Sequence, residues 1–474
     1  MQNKDSNDIL FPFGTVLPGE MILIYGAGNV GRKYLKQIRE TNYCVLQGFI
    51  DKDTAKKTID DVKIYGIDSI KNIYYDHIVI ALKSPLQQAL VKDDLISKGV
   101  EPEKIISVQR INCVERDIKN AASGNETFAF KLPCVSVAIV LTGGLGDCIV
   151  TKKFLEVLSK LSSQIKIDFY THQKKEDIYA IYRGESYLNE IFSDGYGYYV
   201  QNRDYYHVGI NLGNFPEIEW LTPKEQWQSD EYLLWDTLKK IIIYREKYKS
   251  GTPNTHFMHY YKQIYLNNNF YSSLSCEGLV HIEGHKVHIP IDDMGKDEFE
   301  ELKIKKYITI NYGNGSSMEQ ADKINKQWPY RHFVQFVNLF KKKYHDIDIV
   351  QIGAANACEV ENVDVTLLGK SLELIKHVLH GAIFHLDIEG GMVHLATQLG
   401  IKCIVLFGPT LEEFYAYEEN INIRAGKCRG CWELYGADRL CAKNLPYPEC
   451  MALITPEKVM EKVDEYLLSE CKLR

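Results

Sequence analysis

No stretch of the 474 residues approaches the roughly 18 consecutive apolar residues of a membrane-spanning helix, so the chain is expected to carry no integral membrane segment. A basic surplus is also missing. Lys and Arg number 56 against 63 Asp and Glu, a formal net charge of −7, which disfavours nucleic acid and anionic membranes as partners. The amino terminus, MQNKDSNDILFPFG, lacks the basic start and apolar run of a secretory signal, and the expected location is cytoplasmic. Solenoid repeats and low-complexity tracts are absent as well.

Cysteine, by contrast, is plentiful. In a compartment that keeps thiols reduced, most of the twelve cysteines cannot be disulfides, and Cys44, Cys148, Cys276 and Cys403 read as small core residues. Four others are crowded into "CRGCWELYGADRLCAKNLPYPEC", residues 428–450, and need a different explanation. Cys428 and Cys431 flank a glycine turn, and Cys441 and Cys450 follow at spacings that can close a tetrahedral thiolate site. Soft sulfur ligation selects zinc or iron, and with four ligands in place the metal would be structural. Disulfides or unligated thiols are the alternatives.

At this length two or three domains are expected, and 45% hydrophobic with 25% charged residues reads as globular throughout. The pattern is α/β three times over. Residues 1–113 open with "MILIYGAGNVGRKYLKQI", a strand, glycine turn and helix, followed by alternating apolar runs; this is a small Rossmann-like domain. Residues 114–133 read as a linker. A second strand–glycine–helix unit begins at "VSVAIVLTGGLGDCIVTKKF" and defines 134–290, and a third series of strands and helices occupies 291–474.

Each glycine turn offers a candidate site. Gly26, Gly28 and Gly31, with Asp51 twenty residues later, fit a dinucleotide fingerprint in which the helix start holds a diphosphate and the acid meets a ribose; a tight turn without a ligand is the plain alternative. The one Tyr-x-x-x-Lys in the chain, Tyr170 to Lys174, sits at a strand end in the next segment and gives hydride chemistry no support. Gly143, Gly144 and Gly146 precede Asp147, an acid at the C-terminal edge of a strand, placed either to act as a general base or merely to cap the helix. Lys326, ahead of the helix start at Trp328-Pro329, could meet phosphate oxygens or be a solvated surface lysine. The stretch "LDIEGGMVHLATQLG" carries Asp387 and Glu389, then Gly390 and Gly391 opening a helix, then His394. Acids for a ribose or base beside amide donors for a pyrophosphate suit a nucleotide diphosphate sugar, while His394 alone would also serve as a core histidine. The tyrosine-rich passage Tyr196–Tyr206 is expected to supply acceptor-facing loops whose rings stack on sugars or simply pack.

Taken together, Gly143–Asp147, Lys326-Gln-Trp328-Pro329 and "GGMVHLATQLGIKCIVLFGPT" resemble glycosyltransferase family 9, the ADP-heptose transferases, over about 135–470. The cysteine run followed by "MALITPEKVMEKV" resembles the autotransporter heptosyltransferases, whose four-cysteine finger holds iron. The resemblance implies a GT-B architecture of two Rossmann-like halves, inverting transfer from a nucleotide sugar such as ADP-heptose to a glycan or protein hydroxyl, and no catalytic metal. It makes Asp147 the base, Lys326 the phosphate contact, and Glu389, Gly391 and His394 the donor stretch, with Asp387 as a substitute carboxylate because the family's usual aspartate is replaced by Glu389. The amino-terminal domain is extra and resembles small nucleotide-binding domains of sugar-modifying acyltransferases. A homo-oligomer is compatible with this reading. A different class, a sugar-nucleotide oxidoreductase or nucleotide sensor, would instead use the amino-terminal GAGNVG site.

Overall fold

A computed structural model describes the chain apart from residues 1–10, 14, 53–56, 83–84, 108–134, 163, 194, 204–205, 214, 250–254, 314–325, 425, 433–440, 442, 444, 446–447 and 474. The expected linker, 114–133, lies outside the described residues. Among the rest, the strands form three sheets, each in its own stretch of chain.

The first sheet contains Met21–Tyr25 (β1), Val45–Ile50 (β2), Thr58–Ile59 (β3), Val62–Tyr65 (β4), His77–Ile80 (β5) and Ile105–Ser107 (β6), ordered β3-β4-β2-β1-β5-β6. All pairings are parallel except β3 with β4. After β1 the chain turns through Gly26, at φ +105°, where a Cβ would meet the Ala81 carbonyl oxygen at 2.9 Å. The helix Asn29–Thr41 then packs so closely on the turn that a Cβ on Gly31 would fall 2.1 Å from the Gly26 carbonyl oxygen.

The second sheet, Ser136–Leu141 (β7), Lys166–Thr171 (β8), Leu188–Phe192 (β9), Val208–Leu212 (β10) and Pro216–Leu221 (β11), runs β11-β10-β7-β8-β9 and ends in an antiparallel pair, β10 with β11. All six residues of β7 are buried, as a central strand covered on both faces requires. The tyrosine-rich passage forms the helix Gly195–Asn202, not acceptor-facing loops. Tyr198, Tyr199 and Tyr206 are buried against Tyr170 and Phe192, and Tyr206 donates to the buried carboxylate of Asp168 at 2.6 Å. Their apolar cluster continues into the first sheet through Val16, Tyr34 and Phe49.

The third sheet is parallel throughout: Tyr307–Asn311 (β12), Asp348–Gly353 (β13), Val365–Leu368 (β14), His385–Ile388 (β15), Cys403–Phe407 (β16) and Ile421–Arg424 (β17), ordered β14-β13-β12-β15-β16-β17. Cys44, Cys148, Cys276 and Cys403 are all buried, as expected of small core residues.

Two fully buried lysines hold the stretch that crosses from the second sheet to the third. Lys152 gives its ammonium to the carbonyls of Ile181 and His288 and to Glu185, and Lys376 gives its own to those of Ala180 and Pro290 and to Glu373. The crossing segment 288–290 is thus held from both sides. Burial pulls both ammonium pKa values down, and the paired glutamates oppose it.

Gly31→Ala should overpack the first turn by about 1–3 kcal/mol or more. Hydrogen exchange is expected to quicken in β1, β2 and β5 while β12, β15 and β16 keep their protection.

Candidate active site

The site forms where two helices start. Leu145–Leu161 follows β7 through Gly143 and Gly144, and Gly391–Gln398 follows β15 through Gly390. Their first turns touch: a Cβ on Gly146 would lie 2.5 Å from His394 Cδ2 and 3.3 Å from Gly391 Cα, and one on Gly391 would lie 3.1 Å from the Gly146 amide nitrogen. A side chain on Gly146 would force His394 aside, and one on Gly391 would make a tight contact with the facing helix start. Two helix N-termini, each worth about half a positive charge, therefore converge and favour anions between them.

Two carboxylates answer that field. Asp147 is the third residue of its helix, and its Oδ2 accepts the Gly144 N–H at 2.7 Å. The carboxylate folds back over Gly143, where a Cβ would lie 2.3 Å from that of Asp147. The side chain caps the helix, the plainer of the two readings that the sequence allowed. Burial pushes its pKa up, and the Gly144 amide, His394 and Lys326 only partly offset the rise.

Glu389 is buried across the contact. Its Oε2 accepts from the Lys326 ammonium at 2.6 Å, and its Oε1 lies 3.8 Å from His394 Nε2. Burial alone would raise its pKa, but Lys326 and His394 together hold it down at about 2. Two residues after Lys326, Trp328 is wholly buried with its indole N–H donating to the Ile454 carbonyl at 2.7 Å. His394 is also buried, and its Nδ1 lies 2.6 Å from the Tyr417 hydroxyl, which continues to Tyr271 at 2.9 Å.

Asp387 is not in this group. Only 1% exposed, it accepts from Asn311 Nδ2 and the Ile388 amide and lies 3.4 Å from His385. Glu389 is the carboxylate that meets Lys326. The amino-terminal fingerprint is a separate place, at the first sheet, where the Asp51 carboxylate accepts the Ala27 N–H at 2.8 Å and braces the turn. Tyr170 is buried with its hydroxyl 3.0 Å from that of Tyr206, so it presents no dyad with Lys174.

The four clustered cysteines lie within electrostatic reach of one another. Burial first, then Cys428, Cys431 and Cys441, push the Cys450 thiol up to about 12. Among the described residues no group of three or more His, Cys, Asp or Glu side chains is arranged as a metal site. Sequence reasoning missed Tyr415, Tyr417 and Trp432, whose rings wall the site. Only Trp432, next to Cys431, sits in a stretch that the sequence singled out.

Residues 289–432 match the model of glycosyltransferase family 9 (heptosyltransferase), and residues 19–117 that of C2185-like, N-terminal. No curated protein matches. Among solved structures, the chain is similar to the glycosyl transferase family 9 from Veillonella parvula DSM 2008, with 16% identity over 71% of this chain and 97% of that one and a TM-score of 0.44. It is also similar to the dodecameric iron-containing heptosyltransferase TibC in complex with ADP-D-beta-D-heptose (12% identity, 71% and 76%, TM-score 0.44) and to E. coli ADP-heptose lps heptosyltransferase II (13% identity, 71% and 99%, TM-score 0.41). The family 9 match is confined to residues 289–432, the stretch that carries β12 to β17, and it supports a glycosyltransferase as the enzyme class. No helix among the described residues is long and apolar enough to cross a membrane.

The two carboxylates give opposite pH signatures. Asp147, raised when folded, contributes stability that is complete below its unfolded value of 3.8 and is lost as pH rises through the folded value. Asp147→Asn keeps an acceptor for Gly144, so its melting temperature at pH 7 should equal or exceed that of the unsubstituted protein. Glu389, lowered when folded, contributes stability present above 4.5 and lost as pH falls towards about 2. Glu389→Gln should flatten that acid limb in urea titrations run at stepped pH.

Proposed function

We propose that the chain is an inverting glycosyltransferase that moves a sugar, heptose first, from a nucleotide diphosphate sugar such as ADP-heptose to a hydroxyl of a glycan or protein. The observation that carries this reading is the convergence of Asp147, Lys326, Glu389 and His394 on two touching helix starts, one of them inside the family 9 segment.

The donor's diphosphate replaces Glu389 as the partner of Lys326 and takes the amides at Gly390 and Gly391. These positive groups stabilise charge on the leaving diphosphate as the glycosidic bond breaks, the kind of contribution that usually weighs most. Asp147 removes the proton from the acceptor hydroxyl as that oxygen bonds to the anomeric carbon. Its raised pKa suits a base, because a buried carboxylate gains from taking a proton. Attack opposite the leaving group inverts the anomeric centre. Glu389, released from Lys326, is placed to accept from a hydroxyl of the sugar or ribose.

Cys428, Cys431, Cys441 and Cys450 would hold a structural iron or zinc ion, which supplies cross-linking of the segment 428–450. Their sulfur donor set fits a soft metal, and a bound cation would offset both the burial and the neighbouring cysteines that raise Cys450. Domain limits at 113, 134 and 290, and a homo-oligomeric state, belong to the same proposal.

Three outcomes are expected. Mass spectrometry of reactions with a panel of nucleotide sugars should find one glycosylated product class, and Asp147→Asn should lower kcat about 10²–10⁴-fold at saturating donor. Turnover within a few-fold of the parent would sink the base assignment. Elemental analysis should find about one metal per chain, and Cys428→Ser or Cys441→Ser should cost both metal and solubility.

A further inference from the structure

The ammonium of Lys326 lies 4.0 Å from the centre of the Trp432 ring and 5.8 Å from that of Tyr415. With its side chain 15% exposed and its carboxylate partner 6%, the lysine is nearly desolvated, the condition under which a cation gains most from an aromatic face.

The placement of Trp432 is fixed from several sides. Its backbone N–H donates to the Pro409 carbonyl at 3.0 Å. Two residues earlier, Gly430 adopts φ +75°, and a Cβ there would lie 2.7 Å from Leu411 Cδ2, so the turn favours glycine. The Gly430 carbonyl accepts from the Tyr261 hydroxyl at 3.1 Å, and Tyr261 stands on the helix Thr255–Tyr265 from the middle segment of the chain. Arg429 pairs with Glu413. The first turn of the cysteine segment is therefore pinned by residues both before and after β12.

We propose that Trp432 is a positioning residue of the donor site: its ring face holds the Lys326 ammonium in place while that lysine exchanges Glu389 for the diphosphate of a nucleotide. This rests on the function proposed above. A lysine that changes anionic partners passes through a moment without a counter-ion, which is costly in a desolvated place. A ring face attracts the cation yet carries no charge to compete with the incoming phosphate, so it lowers that cost where a second carboxylate would block the exchange. It also keeps water off one side of the ammonium, which strengthens its attraction for phosphate.

The test is titration of the full-length protein with ADP by calorimetry, using Trp432→Phe, which keeps a ring face, and Trp432→Leu, which keeps apolar bulk without one. Trp432→Phe should bind within about threefold of the parent and Trp432→Leu about tenfold more weakly, with matched melting temperatures. Fluorinated tryptophans, nearly isosteric but poorer in ring electron density, should weaken ADP binding in the parent and leave Trp432→Phe unchanged; this arm holds even if Trp432→Leu fails to fold. Trp432→Leu binding ADP as the parent does, or more tightly as if a plug had been removed, would overturn the proposal. A parent that binds none of ADP, UDP and GDP would overturn the donor-site reading itself, a result distinct from unequal effects of the two variants.

Discussion

Two helices that begin within a glycine's breadth of each other govern the rest of this molecule. The contact between Gly146 and Gly391 has little room for a methyl group, and it joins the positive ends of two backbone dipoles at one place. That field accounts for a neighbourhood of two carboxylates, one lysine and one histidine where an ordinary interface would be apolar. It also eases the desolvation of the half-buried Asp147, which the Gly144 amide and the cations around it offset in part.

The charges there are poor contributors to stability. A buried ion pair such as Glu389 with Lys326 loses most of its attraction to the cost of leaving water. Asp147 is held in a form that its surroundings disfavour. Perturbed groups gathered at the meeting of two lobes are the mark of a working site more than of a structural one. The aromatic walls given by Tyr415 and Trp432 sharpen the effect by excluding water.

Much of this was legible from the residues alone. The parallel sheets were readable because strands covered on both faces appear as unbroken apolar runs, as in CIVLF of β16, all of it buried. The glycine turns at Gly143–Gly146 and Gly390–Gly391 were readable as strand-to-helix passages, and the helices Leu145–Leu161 and Gly391–Gln398 do begin there. The reason for those glycines was not legible: what approaches the backbone is the opposite lobe. Nor could alternation separate Asp387 from Glu389, since residues two apart share a face; only the end of β15 puts one inside and the other beyond it. The tyrosine-rich middle left stacking on sugars and plain packing both open, and Tyr199 and Tyr206 pack, with Tyr170, in a core around a buried acid.

The paired lysines at the crossing have a mechanical meaning. An ammonium offers three donors, and Lys152 and Lys376 each commit all three, two to carbonyls and one to a glutamate. Pulling the segment 288–290 away from the helix Lys175–Tyr182 would strand two ammonium groups out of reach of water, so the crossing acts as a rivet between them.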